Sequence, residues 1–259
     1  MGRYVLQEKM SRMKPISLRG CVLFGTAFLF LGLVSCQKEI KNEPWFVLAQ
    51  KYAEAHETML HNEIEKKGTA LKDLGVRDNV GAKLLTVSSP SLSQLDELLK
   101  STDPMARKVA VVNVMLREIK EDRILASITE TYRFEDDTHT KFFTVQCFIP
   151  LSALQLQARE NRLIEIFSSE KDENVIIAAL PVLTRLDKTK TRPLFANYLR
   201  SGTEGLRALT IIALKKDLPE VLDDIHGELK REGIDMWAGL SEWRLPERLT
   251  LPETNQGVR

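Results

Sequence analysis

Eight residues, HETMLHNE from His56 to Glu63, set two imidazoles and two carboxylates within one short stretch. These are the side chains that hold a zinc ion and activate its water. A helix that offers two histidines to one metal needs them four residues apart, so that both rings share a face. Here they are five apart, a rotation of about 500° that leaves the rings roughly 140° from each other. The spacing therefore predicts polar residues flanking an apolar stripe, not a shared metal. His139 and His226 stand alone in the sequence, so no metal ligands are assigned. The acidic runs Glu135-Asp136-Asp137 and Asp223-Asp224 have the residue type for acid–base work, but nothing adjacent pairs with them, and they read as turn and helix-surface acids. The basic run KTKTR, Lys188 to Arg192, could touch lipid headgroups or an acidic partner, and reads better as a solvated turn between helices. The chain holds no G-x-S-x-G, no G-x-x-x-x-G-K-[ST] and no G-x-G-x-x-G. No catalytic residue and no cofactor is assigned.

Three cysteines remain. Cys147 sits in the apolar run TVQCFIP and reads as a small buried hydrophobe. Cys36 is different, because a charge-free stretch from Gly20 to Gln37 runs up to it and polar QKEIKNEP follows. The apolar heart of that stretch is CVLFGTAFLFLGLV, preceded by Lys14 and Arg19, which is the order of a secretory signal. Translation from Met13 would give a more compact basic segment than translation from Met1. Eighteen uncharged residues also lie at the short end of the roughly 17–25 that can span a bilayer, so an uncleaved anchor stays open.

The stretch ends in Leu33-Val34-Ser35-Cys36 and resembles the lipobox of bacterial lipoproteins: a branched apolar residue, a tolerant position, a small residue and a cysteine. The resemblance implies that Leu33 and Ser35 are read by the signal peptidase. It implies that Cys36 receives a diacylglyceryl thioether and, after cleavage, an acyl chain on its amino group, palmitate being the usual kind. Two or more acyl chains anchor durably where one is marginal. Gln37 follows where aspartate often retains a lipoprotein at the inner membrane, which favours the outer membrane and leaves the periplasmic or surface face open. Residues 1–35 then form the signal peptide and 36–44 a lipidated tether. Its eight residues after the cysteine reach about 27 Å when fully extended, at ~3.4 Å each.

A folded body must position these groups, and 259 residues with 43% hydrophobic and 28% charged content suffice for one. Residues 1–35 carry five basic side chains against Glu8, a net of +4, which leaves −3 on the rest of a +1 chain. That balance argues against a nucleic-acid partner. Within residues 45–90, Trp45, Leu48, Tyr52, Ala55 and Met59 form one stripe of an amphipathic helix, and GVRDNVGAKLLTVSSPSLS from Gly75 reads as a loop. From 91 to 245 helical hairpins recur, with polar turns at Asp103, Asp137, Asp172 and Gly202. The separations of 34, 35 and 30 residues fall in the range of helical solenoids. Asp103 fits an N-cap and Pro104 the first helical position. Residues 135–150 are ambiguous, since Thr138, Thr140, Thr144 and Val145 also suit a strand. Pro150 and Pro181 should kink or end helices. Leu218 to Arg231 reads as a further helix, Trp237 and Trp243 are placed to cap the last apolar face, and 246–259 is a loose tail.

The Asp–Pro turn, Arg107, Arg207 and the small residues Ala110, Ala179 and Ala208 resemble HEAT repeats over roughly residues 91 to 217. The resemblance implies an all-α fold, an α-solenoid of helical hairpins whose groove binds a protein or peptide. The functional expectation is a membrane-anchored scaffold or adaptor in the bacterial cell envelope and not an enzyme. A hydrolase acting on envelope polymers through dispersed residues, or a structural subunit of an envelope assembly, are the other readings.

Overall fold

The computed structural model describes residues 40–64 and 70–240. Helices are the only regular elements among the described residues, which hold no strand. They form α1 (Pro44–Ile64), α2 (Ala70–Thr86), α3 (Leu92–Leu99), α4 (Pro104–Leu116), α5 (Asp122–Arg133), α6 (Thr138–Phe148), the short α7 (Ala153–Gln157), α8 (Glu160–Ser169), α9 (Glu173–Leu183), α10 (Lys188–Ser201), α11 (Glu204–Asp217) and α12 (Pro219–Arg231). Helix packing follows two rows. In one, α1 meets α4, α4 meets α6, α6 meets α9 and α9 meets α11; in the other, α3, α5, α8, α10 and α12 meet in turn. Each sequential pair α3/α4, α5/α6, α8/α9 and α10/α11 also packs across the rows. One continuous apolar core lies between them, with Trp45, Phe143, Phe148, Phe167 and Phe195 fully buried.

The turns that join paired helices share one chemistry. Asp103, Asp137 and Asp172 each hold extended backbone and accept an N–H of the first turn that follows: Met105 at 3.0 Å, Thr140 at 2.7 Å and Asn174 at 2.9 Å. Each cap's own N–H donates to the side chain two residues earlier, Ser101, Glu135 or Glu170, at 3.1, 3.2 and 2.9 Å. Local bonds of this kind satisfy the donors that a helix start leaves open. The fourth turn departs from the pattern because a Cβ at Gly202 would stand 2.5 Å from the Tyr198 carbonyl oxygen, and capping passes to Thr203, which accepts from Leu206 at 3.3 Å.

The turns are also tied to one another. Arg107 donates to Glu135 at 2.8 and 3.2 Å, Thr138 to Asp172 at 3.1 Å, and Lys141 pairs with Glu170 at 3.3 Å. Thr203 donates its N–H and its hydroxyl to Glu173 at 3.2 and 2.5 Å. Arg107, Lys141 and Arg207 stand four residues after their caps, one helical turn in, which aims each at the next unit; Arg207 reaches the Ala238 carbonyl at 2.9 Å. The opposite ends carry a second set, with Arg117 on the Leu84 carbonyl at 2.8 Å and Arg185 on that of Ile149 at 2.7 Å.

Three sequence expectations change and one open alternative is settled. Residues 75–86 are helical, as part of α2, where a loop was expected. Leu74, Arg77, Val80, Gly81 and Leu84 recur at helical spacing on its inner side, and a Cβ at Gly81 would stand 3.1 Å from the Tyr52 ring, tighter than ordinary contact. The stretch 135–150, open between helix and strand in the sequence, carries the helix α6, because the Asp137 cap and the buried Phe143 and Phe148 outweigh β-branched propensity. KTKTR lies inside α10, where Lys188, Lys190 and Arg192 pair with Glu220, Glu160, Asp224 and Glu228 of flanking helices. Trp237 is 45% exposed, and Met236 fills the last apolar face in its place. Pro150 follows the end of α6, and Pro181 sits in the last turn of α9. Trp243, the 246–259 tail and the first 39 residues lie outside the described residues.

The cap geometry predicts that Asp172→Ala lowers unfolding free energy in urea by about 1–2 kcal/mol, whereas Asp172→Asn retains most of it. A loss below about 0.3 kcal/mol on Asp172→Ala would contradict the capping role.

Candidate functional site

Leu33, Ser35 and Cys36, the residues assigned to peptidase recognition and lipidation, fall outside the described residues. Among the described residues, no helix is long and apolar enough to cross a membrane. His56 does not flank the α1 stripe; it lies within it, 4% exposed. The buried face of α1 runs through Trp45, Phe46, Ala49, Tyr52, Ala53, His56 and Met59, rotated from the expected one, with Leu48 and Ala55 only half-buried. His139 is not isolated either, since its ring centroid stands 6.3 Å from that of His56. No group of three or more histidine, cysteine or acidic side chains is placed to hold a metal among the described residues. Glu135 is likewise not unpartnered: the Arg107 guanidinium reaches it from 28 residues away, a distance no local motif reveals.

The strongest binding geometry is an open groove between α3 and α5, of about 510 Å³. Leu99, Lys100, Ala126, Glu130 and Phe134 are among the residues that line it. Phe134 is 77% exposed, an unusual place for a phenyl ring. Beside the groove, Asp96 is buried and accepts from Lys100 at 2.8 Å, Arg123 at 2.5 Å and Ser127 at 2.5 Å. Burial alone would raise its carboxyl, but hydrogen bonds from Lys100, Ser127 and Arg123 outweigh that and hold it at about 2. Two exposed cations thus share one buried anion. A second depression, lined by Ala126, Glu130, Arg159 and Arg162, continues along α5 towards α8.

A smaller cavity of about 230 Å³ adjoins α5, α6 and α8. Within it Tyr132 donates to Glu170, and the Lys141 ammonium stands 5.5 Å from the Tyr132 ring centroid. Burial first, then the Glu170 carboxylate, pushes the Tyr132 hydroxyl up. Burial would also push Glu170 up, yet Tyr132 and the backbone N–H groups of Asp172 and Lys171 bring it below the usual carboxylate range. Every resolved carboxylate shift, from Asp96 to Glu228, runs downward in this way. That direction fixes charges in place and does not poise them for proton transfer near neutrality.

Cys147 is buried in α6 and donates to the Phe143 carbonyl at 3.4 Å, and burial pushes its thiol up. In a chain carrying Cys21→Ser and Cys36→Ser, a water-soluble disulfide reagent is expected to leave Cys147 untouched in buffer and to titrate one thiol after denaturation. Rapid stoichiometric labelling of the folded chain would contradict this packing. Against known proteins, no family model, no curated protein and no solved structure matches the chain.

Proposed function

We propose that the chain is a lipoprotein of the bacterial cell envelope whose HEAT-like α-solenoid body binds a protein or peptide segment, acting as a scaffold or adaptor. Lipid on Cys36 holds it at a membrane, the outer membrane being favoured. The binding half of this reading is carried by one observation, the open α3/α5 groove whose lining includes the exposed Phe134 ring. A large aromatic lining an apolar trough is a common anchor of an interface hot spot. The solenoid reading draws support from the inter-unit bonds, whose partners lie about one repeat apart, from 27 residues for Arg123 and Asp96 to 38 for Tyr132 and Glu170. The address half rests on Leu33-Val34-Ser35-Cys36 and the basic, apolar stretch before it.

The test places a photo-cross-linking phenylalanine at position 134 in the native host, with Lys216 on α11 as the control position, in wild-type and Cys36→Ser backgrounds. The expected result is a diacylglyceryl-sized mass on a peptide starting at Cys36 and one recurrent protein cross-linked at 134 but not at 216. An unmodified Cys36 inside an intact N-terminal peptide would overturn the address. A lipidated chain with no recurrent cross-link at 134 would overturn the binding site.

A further inference from the structure

We propose that His56 is an acid-sensitive latch: a proton on its ring loosens the α1–α2 hairpin from α4 and α6 while the later helices stay folded. The ring sits where the hairpin meets the body. It stacks on Phe142 with centroids 5.4 Å apart and 26° between planes, and meets Phe143 at 4.9 Å. Tyr52, one turn earlier on α1, meets Phe143 at 6.2 Å. Both His56 nitrogens are buried and neither has a hydrogen-bond partner. A neutral imidazole tolerates such a site, whereas an imidazolium brings a second N–H and a full charge into it.

Three carboxylates of α1, α2 and the α6 cap are already bound to cations. On α2, Asp78 is bound by the Arg77 guanidinium at 2.8 and 3.0 Å. On α1, Glu57 accepts from the Lys108 ammonium of α4 at 2.5 Å, and the same ammonium pairs with Asp137, the α6 cap, at 3.1 Å. Asp137 also accepts the Thr140 hydroxyl at 2.6 Å. The other groups near the ring, Arg77 on α2 and His139 on α6, oppose a positive charge. The Phe142 face offers some cation–π attraction. Burial, then Arg77, then His139 prevail over it and lower His56 from its ordinary value of 6.5 to about 4.

The docked state binds fewer protons than the released one, so docking is complete above about 6.5 and weakens as pH falls towards about 4. Across that window the closed-to-open ratio drops about tenfold per pH unit, about 300-fold in all, and no further below it. Only α1 and α2 are released, because the bonds that join later turns involve no histidine among those described.

Hydrogen exchange read by mass spectrometry, corrected for intrinsic rates, tests this on the full chain at pH 7.5 and pH 5. Amides of α1 and α2 are expected to lose about 30-fold in protection relative to α9–α11. His56→Phe, and His56→Gln as a second variant in case the larger ring is not accommodated, should abolish that difference between the two pH values. An unchanged acid response in either folded variant would overturn the latch. So would wild-type loss spread evenly over all helices, or no loss at all. None of these outcomes depends on what the α3/α5 groove binds.

Discussion

The bond on which the body depends runs from Arg107 to Glu135. Glu135 is almost wholly buried, and its carboxylate receives two guanidinium N–H groups from the preceding unit and the backbone N–H of Asp137 from its own. Arg107 also spans the Ser101 and Thr102 carbonyls, so one side chain closes its own turn and locks the next. A buried ion pair adds little net stability against an apolar replacement, but losing one partner strands a charge. Its service is registry: it sets the offset between one helical pair and the next, while the aliphatic and aromatic core provides the bulk of the stability. Exposed pairs across α5, α8, α10 and α12, such as Arg162–Glu130 and Arg200–Glu232, repeat that offset in a medium that screens them.

Registry is what turns a row of helices into a surface. With the turns at 103 and 137 tied together, the outer faces of α3 and α5 cannot slide, and the trough between them keeps its shape. The trough and the buried histidine are then two distinct features of one body. One faces outward and has the anatomy of a docking place; the other sits at the joint between the hairpin nearest the proposed lipid attachment and the remaining helices. Displaying a groove asks for rigid positions, and the resolved carboxylates, held low by cations and backbone N–H groups, provide them.

Local chemistry was the readable part of the sequence. Asp103-Pro104 announces a cap and a first turn, and the spacing of Asp137 and Asp172 repeats it, so those helix starts were legible residue by residue. Arg107 and Arg207 were visible as repeat arginines, but their partners, Glu135 and the Ala238 carbonyl, lie about thirty residues away and needed the fold. α2 was hidden because Gly75, Asp78, Asn79 and Gly81 carry turn chemistry, while Gly81 lies close against a ring on another helix. His56 was misread for a related reason. Its burial is dictated by Phe142 and Phe143 on α6, and a one-residue rotation of the α1 stripe, marked by Phe46, Ala49 and Ala53, was the signal that would have found it.

The most direct test of this account is a double-mutant cycle on Arg107 and Glu135, using alanine at each position and urea unfolding at neutral pH. If the pair joins successive units, the coupling energy should be at least about 1 kcal/mol, the two single substitutions together costing that much more than the double. Additive effects, with coupling within about 0.3 kcal/mol of zero, would mean that the turns do not hold one another and that apolar packing alone sets the register.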